Sequence, residues 1–387
     1  MSWKLYLYMK ILEMKHILYS LLVFLFSIQI SVGQVESRQL SDYADVSVLT
    51  IGTGPMLHEL FGHTAIRVSD PSQGIDRVYN FGMFDFATPN FGLRFIKGDM
   101  LYFADYTTMR NFIANYVYDN RSVYEQKLAL TSDQKNKVWK SLNESLEEEN
   151  KYYVYKFINQ NCTTKVVDIV NADSGTAVTV DIPENQYTYR EVLNSYLGDS
   201  YLLKLGINMI LGSAIDQKNA KQFLPDKYMK GLDVTIIKGK PIVKEKLTIF
   251  AADQSKKGVA AWWDSYLVFS LLCLGLAFLA YKFRQVRSIL LIVVGVFGVF
   301  FLFVNFYSLH EEVQYNTILL LCNPLLLLFP FIKHKAVWKK RIRLFLLISL
   351  TLYVVLNITS EKLVITLPIY LLTLWLLIID RISVNKK

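Results

Sequence analysis

The pattern of apolar and polar positions changes character partway along the chain. Residues 35–257 carry short apolar runs broken by polar and turn residues, whereas from about residue 265 the apolar residues come in long runs. In the first part, Ser47-Val48-Leu49-Thr50-Ile51-Gly52 reads as a strand closed by Gly52, Gly54 and Pro55. His63-Thr64-Ala65-Ile66-Arg67-Val68 alternates and stops at a turn cluster, residues 69–74. Residues 77–82 alternate again, so the two runs predict neighbouring strands or a hairpin with a long loop. Residues 84–95, rich in aromatics, Gly, Pro and Asn, predict a surface loop. Further strands are expected at 101–106 and 123–130, with a helix at 109–118 between them. Leu130-Thr131-Ser132-Asp133-Gln134 has the form of a helix start, continued to residue 150. Residues 151–159 read as extended. Directly after them, Asn161-Cys162-Thr163-Thr164 opens a segment in which Val166, Val167, Ile169 and Val170 recur at helical spacing. A loop at 181–183, a helix at 187–201 and an apolar stretch at 202–215 follow; that stretch is short enough to pack on the domain or lie at a bilayer surface. Residues 221–257 read as a polar, partly strand-like connector.

The long apolar runs lie at 265–281, 288–306, 316–332, 344–358 and 363–379. Their lengths suit a hydrocarbon layer of about 30 Å. At the other end, Lys10, Lys15 and His16 lead into an apolar core at 17–30 and then Ser31-Val32-Gly33, the layout of a secretory signal. Met14 is an alternative start for that signal. The expected organisation is therefore a signal at 1–33, an exported α+β domain at 34–257, and an all-α membrane domain of five helices at 265–381.

Composition and charge sharpen this reading. The 387 residues are 52% hydrophobic, too apolar for an ordinary soluble protein. Basic residues cluster in the first inter-span connection (Lys282, Arg284, Arg287), the third (Lys339, Lys340, Arg341, Arg343 with Lys333 and Lys335) and the tail (Arg381, Lys386, Lys387). The second connection holds Glu311 and Glu312, and the fourth Glu361 and Lys362. By the positive-inside rule the C-terminus is cytoplasmic and the preceding domain lies outside the cytoplasmic membrane. These loops account for most of the net charge of +9, and no basic patch interleaved with aromatics speaks for nucleic acid.

Export makes the cysteines informative. Cys273 and Cys322 fall in apolar spans, which leaves Cys162 alone in the exported domain, without a disulfide partner there. A thiol in the first turn of a helix sits at the positive end of the macrodipole, which favours the nucleophilic thiolate. A thiol acyl enzyme also needs a base. Of the five histidines, His58, His63 and His310 fall on the exported side. His63 opens a strand after Gly62, and His58 is the alternative base. His58 and His63 are five residues apart, not four, so they do not form a helical zinc pair, and neither a metal nor another cofactor is implied. Asn80 on the next strand is the candidate for orienting the imidazole, with Asp85 and Tyr79 as rivals. Asn161, Asp85 and Arg190 are the candidate substrate-binding residues, Arg190 together with Arg67 for a phosphate head group. His310-Glu311-Glu312 reads as a solvated loop or as a neighbour of the site.

The order His then Cys, with Gly62-His63-Thr64-Ala65-Ile66 on an early strand and Asn161-Cys162 opening a later helix, resembles the circularly permuted papain-like fold of the NlpC/P60 group. The segments 60–68 and 78–86, Asn161-Cys162-Thr163-Thr164 and Phe223-Leu224-Pro225-Asp226, followed by a multi-span tail, more closely resemble the Lnb-type lipoprotein N-acyltransferases. That resemblance implies a Cys162 thioester formed from a phospholipid acyl donor at the outer face of the membrane. A diacylated lipoprotein would be the acceptor through its N-terminal amine. A phospholipase or peptidoglycan endopeptidase of the same thiol fold, and a non-enzymatic membrane sensor or assembly factor, stand as the alternatives.

Overall fold

The alternating runs pair into one seven-stranded antiparallel sheet. The computed structural model describes residues 39–387 except Thr176, 179–185, Ala220, Gln254, 256–259, 333–335 and 385–387. The expected signal at 1–33, the loop at 181–183 and the basic residues Lys333, Lys335, Lys386 and Lys387 lie outside the described residues. The sheet is built from β1 (Asp45–Ile51), β2 (His63–Asp70), β3 (Ile75–Met83), β4 (Leu101–Thr108), β5 (Val123–Leu128) and β6 (Tyr152–Val154). After the two-residue strands β7 (Ile236–Ile237) and β8 (Lys240–Pro241), β9 (Val243–Phe250) completes it in the order β6-β4-β3-β2-β1-β5-β9. β1 lies inside the sheet between β2 and β5 and is buried from its second residue on, as a strand covered on both faces must be. β2 and β3 form a tight hairpin, with Asp70 opposite Ile75, where the long turn cluster had left a wider loop open.

Each face of the sheet has its own helical cover. Val46, Val48, Ile66, Val68, Tyr79 and Phe81 pack under the helices Ser132–Glu144 and Cys162–Ser174, which contribute Val138, Trp139 and Leu142, and Val166 and Val170. Leu49, Ile51, Ala65 and Val78 face the helix Met109–Tyr118 through Met109 and Phe112. Full burial of such side chains stabilises by about 1.5–3 kcal/mol each, so this alternation fixes strand register. The two faces also fix where the Cys162 helix must begin.

Three expectations are corrected. The surface loop at 84–95 contains the start of a helix, Phe91–Lys97, capped at its C-terminal end by Gly98. The connector at 221–257 is no connector: it supplies the helix Pro225–Val234, whose Tyr228 and Leu232 enter the main core, and the edge strand β9 paired with β5. The helix expected at 187–201 is two, Tyr189–Tyr196 and Tyr201–Ile210.

In the C-terminal part, Arg284–Tyr307, Glu311–Phe331 and Glu361–Asp380 are long and apolar enough to cross a membrane. The middle one is broken into short helices around Pro324. Tyr266–Lys282 is a shorter apolar helix and Ala336–Asn357 a longer one with a basic start. Asp380 gathers Arg287, Lys339 and Arg343, so part of the basic charge of the loops is spent on tying three helices together.

The apolar stretch after residue 200 packs on these helices rather than on the sheet. Tyr201, Leu205 and Met209 join the membrane-helix cluster, and Tyr201 donates its hydroxyl to the Ile365 carbonyl at 2.7 Å. Beside it a polar seam closes the junction. Lys362 donates to the Leu211 carbonyl at 3.0 Å, and Ser360 to Asp216 at 2.7 Å.

Candidate active site

Gly62 delivers the first functional side chain. Its φ of +79° is one that L side chains rarely adopt, and an added Cβ would lie 2.4 Å from the Ile51 carbonyl oxygen. The turn therefore brings the chain tightly round the end of β1 and places His63 as the first residue of β2, opposite Ile51. On β3, Asn80 is buried opposite Ala65, immediately before a bulge between Asn80 and Met83. Bulges re-aim side chains next to active sites. Here His63 Nε2 lies 3.1 Å from Asn80 Oδ1, while Asn80 Nδ2 donates to the Val78 carbonyl at 3.4 Å. That second bond orients the amide with its oxygen toward the ring. Nε2 then carries a proton, and Nδ1 is the basic nitrogen of the neutral imidazole.

Asn161 starts the helix that carries the thiol. Its Oδ1 accepts the Thr164 N–H at 2.9 Å, and Thr164 Oγ1 accepts the Asn161 N–H at 2.8 Å, a reciprocal capping box. Its Nδ2 donates to the carbonyls of Phe157 (2.7 Å) and Phe223 (2.8 Å). Every polar group of the buried Asn161 is thus engaged in holding the helix start. Asn161 positions Cys162, the first helical residue, and has nothing left for a substrate. The helix is pinned to β2 by Thr64 Oγ1 and Thr163 Oγ1, 3.0 Å apart and fully buried.

This junction sets the thiol beside the imidazole. Burial pushes the Cys162 thiol up, but the His63 charge and hydrogen bond, the Thr64 backbone N–H and the Thr163 hydroxyl outweigh it and hold Cys162 below the ordinary thiol range. Cys162 as a residue keeps partial exposure.

Two tyrosines of the β6 region complete the surroundings. Gly82, at φ +81°, leaves a notch: a Cβ there would stand 3.4 Å from the Tyr155 ring, 3.7 Å from Cys162 Cβ and 3.8 Å from Tyr153 Oη. Tyr153 is buried; the Gly82 backbone N–H faces its hydroxyl, which donates to no partner among the described residues. Burial, reinforced by the Cys162 sulfur, raises both Tyr153 and Tyr155 well above the usual phenol range, so each keeps its proton at neutral pH. Lys165, one turn after Cys162, sits 4.6 Å from the Tyr153 ring centroid. The sequence did not single out Tyr153 or Tyr155. The available signal was the spacing Tyr153-Val154-Tyr155, which puts two aromatics on one side of an extended segment.

The other candidates fall elsewhere. Arg190 is 1% exposed and does not line the site. It donates to Asp216 at 2.7 and 3.0 Å, to Asn208 at 2.8 Å and to the Gly212 carbonyl at 2.7 Å, so it braces the seam toward the membrane helices. Arg67 pairs with Asp76 and Glu125. Asp85 is exposed and accepts the Ala87 N–H at 2.8 Å, a local turn contact. Tyr79 donates to Asn143 at 3.1 Å within the core. His58 is half exposed and packs against the rings of Phe84 and Phe86. Its neighbour Glu59 is tied to Arg121 at 3.2 Å.

The loop at His310-Glu311-Glu312 is docked rather than solvated. Glu312 is buried and accepts the Ile158 N–H at 3.0 Å, and Glu311 accepts from Lys156 (3.0 Å) and Asn159 (2.9 Å). The segment running into Cys162 is therefore clasped by the first residues of the Glu311–Phe331 stretch.

Comparison with known families covers both parts of the chain. The Lnb N-terminal periplasmic domain matches residues 36–195, which include His63, Asn80, Tyr153 and Cys162, and the Lnb transmembrane domain matches residues 265–386. No curated protein and no solved structure matches. With both domains in one chain, the protein belongs to the Lnb family and is a membrane protein whose N-terminal domain is periplasmic.

Proposed function

We propose that the chain is a thiol-dependent lipoprotein N-acyltransferase, with Cys162 as nucleophile, His63 as general base and acid, and Asn80 as the group that orients the imidazole. The observation that carries this reading is the Asn80–His63–Cys162 series at the start of a capped helix, clasped by a loop of the membrane domain. A nucleophile at the N-terminus of a helix packed on an antiparallel sheet, with the base on one strand and its orienter on the next, also supports a permuted papain-like reading of the domain at 34–257. The helices from Tyr266 onward support five spans, and the loop charges support a cytoplasmic C-terminus.

The chemistry follows from the parts. Cys162 Sγ attacks the ester carbonyl of a phospholipid while His63 holds the thiol proton. Collapse of the tetrahedral adduct breaks the ester C–O bond, and His63 returns that proton to the departing lysophospholipid oxygen. The acyl chain is left as a thioester on Cys162. The α-amine of a diacylated lipoprotein then attacks the thioester, His63 takes the amine proton, and the thiolate leaves as the amide forms. A thioester is well matched to an amine, so two moderate steps replace one difficult one. Neither substrate leaves the bilayer, and a membrane-held domain raises their effective concentration at the thiol.

The oxyanion requires donors. The Cys162 backbone N–H at the helix start is one. The protonated hydroxyl of Tyr153, which donates to no described residue, is the second, because it borders the same Gly82 notch as the Cys162 side chain. Removing one such donor costs on the order of 10²–10³ in kcat where measured, so Tyr153→Phe is expected to slow Cys162 acylation by at least about tenfold while leaving thiol alkylation intact. An equal loss in both reactions would assign Tyr153 to packing instead.

The direct test uses the full-length protein in vesicles. A phospholipid with a defined acyl chain should leave that acyl mass on the peptide containing Cys162, removable by hydroxylamine. Adding a diacylated lipopeptide should then discharge it as an amide. Discharge to free fatty acid with no amide would make the protein a phospholipase; absence of any adduct would remove the thioester route.

A further inference from the structure

Beside the main core lies a separate aromatic cluster formed by Phe84, Phe91, Met100, Tyr102, Tyr153 and Tyr155. Its rings form a continuous series. Phe95 stacks on Phe91 (6.2 Å between centroids), Phe91 meets Phe84 (5.9 Å), Phe84 meets Tyr102 (5.4 Å), and Tyr102 stacks on Tyr155 (4.5 Å). Tyr155 is the ring that borders the Gly82 notch next to Cys162. One end of the series is thus at the thiol.

The other end is open and apolar. Phe86 is 68% and Leu57 65% exposed, and Met56, Met83, Leu93 and Phe95 are exposed beside them. His58 bridges the two segments through ring contacts with Phe84 and Phe86. Exposed apolar side chains gathered on one lobe mark an interaction site. What it meets follows from where it is fastened. The Leu309 N–H donates to the Lys97 carbonyl at 2.7 Å, and His310 Nε2 lies 3.0 Å from the Phe95 carbonyl. Leu309 and His310 come one residue after Arg284–Tyr307, a stretch long and apolar enough to cross the membrane, and the Phe91–Lys97 helix packs against it. The lobe is therefore fastened to the end of that stretch. Arg94 and Lys97 turn back to Asp99, leaving Leu93 and Phe95 facing outward. Aromatic and aliphatic side chains at the end of a span partition into the lipid boundary.

We propose that this lobe lies in the outer leaflet and is the acyl-chain site, seating one chain of a membrane phospholipid along the aromatic series from Phe95 to Tyr155 so that its ester reaches Cys162. This rests on the acyl-transfer reading and names the surface that admits the donor. It gives the aromatic cluster a role that packing alone does not require, since the sheet already has a core on each face.

The test compares two acyl donors on full-length protein in vesicles: a dipalmitoyl phospholipid and the soluble ester p-nitrophenyl acetate. The double substitution Phe86→Ser with Leu93→Ser removes exposed apolar surface without opening the core. With less apolar surface to hold a long chain, the ratio of long-chain to short-chain acylation of Cys162 is expected to fall at least about tenfold. An unchanged ratio overturns the acyl-chain site, even if both rates drop. In parallel, a phospholipid bearing a diazirine near the chain terminus is photolysed with the Cys162→Ser protein, which needs no catalysis. Crosslinks within residues 83–95 support the site; crosslinks confined to residues 265–381, or a lobe variant that changes the oligomeric state instead, overturn it. If wild-type Cys162 takes acetyl but never palmitoyl while the crosslinks appear at the lobe, the lipid surface stands and the donor in the reaction scheme is wrong.

Discussion

Cys162→Ser is expected to lower acyl transfer by at least about 10³-fold, read as N-acylated lipoprotein in cells or lysophospholipid released from vesicles, with protein level unchanged. The substitution is nearly isosteric, and the Asn161 cap, the Thr64–Thr163 contact and the buried apolar face of the helix do not depend on sulfur. Stability should hardly move. What is lost is a nucleophile whose ionisation lies close enough to neutral pH for an imidazole beside it to complete. In the wild-type site His63 and the Thr64 N–H overcome the effect of burial and hold the thiol down. A serine hydroxyl ionises so much less readily that the same groups leave it almost wholly protonated. A variant retaining a tenth of the activity would move the chemistry to another residue and leave Cys162 as a small side chain in a polar corner. The same protein should still bind lipid, because nothing in the aromatic lobe involves the sulfur.

The residues legible in the sequence were those whose position is written in local pattern. His63 follows a glycine at a strand start, and Asn161-Cys162 precedes a helical periodicity, so both could be placed without tertiary knowledge. The starts of β2 and β4 and the Met109–Tyr118 helix followed alternation and spacing for the same reason. What could not be read is what depends on convergence. Arg190 looked available to a phosphate because nothing local shows that Asp216, Asn208 and the Gly212 carbonyl meet around it. Tyr153 lies on a three-residue strand, too short for a pattern, and its importance comes from the Gly82 notch far away in sequence. The Pro225–Val234 helix shows few apolar positions because it buries Lys227 beside Tyr228 and Leu232, so its composition imitated a linker. Glu312 likewise read as loop charge, whereas its partner is the Ile158 amide more than 150 residues earlier. Local signals thus placed Cys162 and His63 on their elements, while the groups that surround them emerged only from the packed chain.

His63→Ala is expected to reduce Cys162 acylation by on the order of 10²–10⁴-fold, the usual contribution of a positioned acid–base group. A second readout separates chemistry from structure. The rate of Cys162 alkylation by iodoacetamide follows the thiolate, so its pH midpoint reports the thiol's ionisation directly. In the wild-type protein that midpoint should fall below the value of about 8.5 for a free thiol, since the favourable groups prevail over burial. Removing His63 deletes the two strongest influences that lower it, the charge and the hydrogen bond, and leaves burial opposed only by the Thr64 N–H and the Thr163 hydroxyl. The midpoint must therefore move up. Asn80→Ala should shift it in the same sense but less, because Asn80 bonds the far side of the ring and acts on the thiol only through ring orientation. A purely structural defect differs in pattern, not in sign: loosened packing would expose Cys162, relieve desolvation and bring the midpoint up to the free-thiol value in both variants alike, whereas the direct role makes the Asn80→Ala shift the smaller. If His63→Ala left acylation and midpoint untouched while His58→Ala abolished the activity, the base would be the half-exposed imidazole against Phe84 and Phe86, and the proton path would have to run from the aromatic lobe instead of through Asn80.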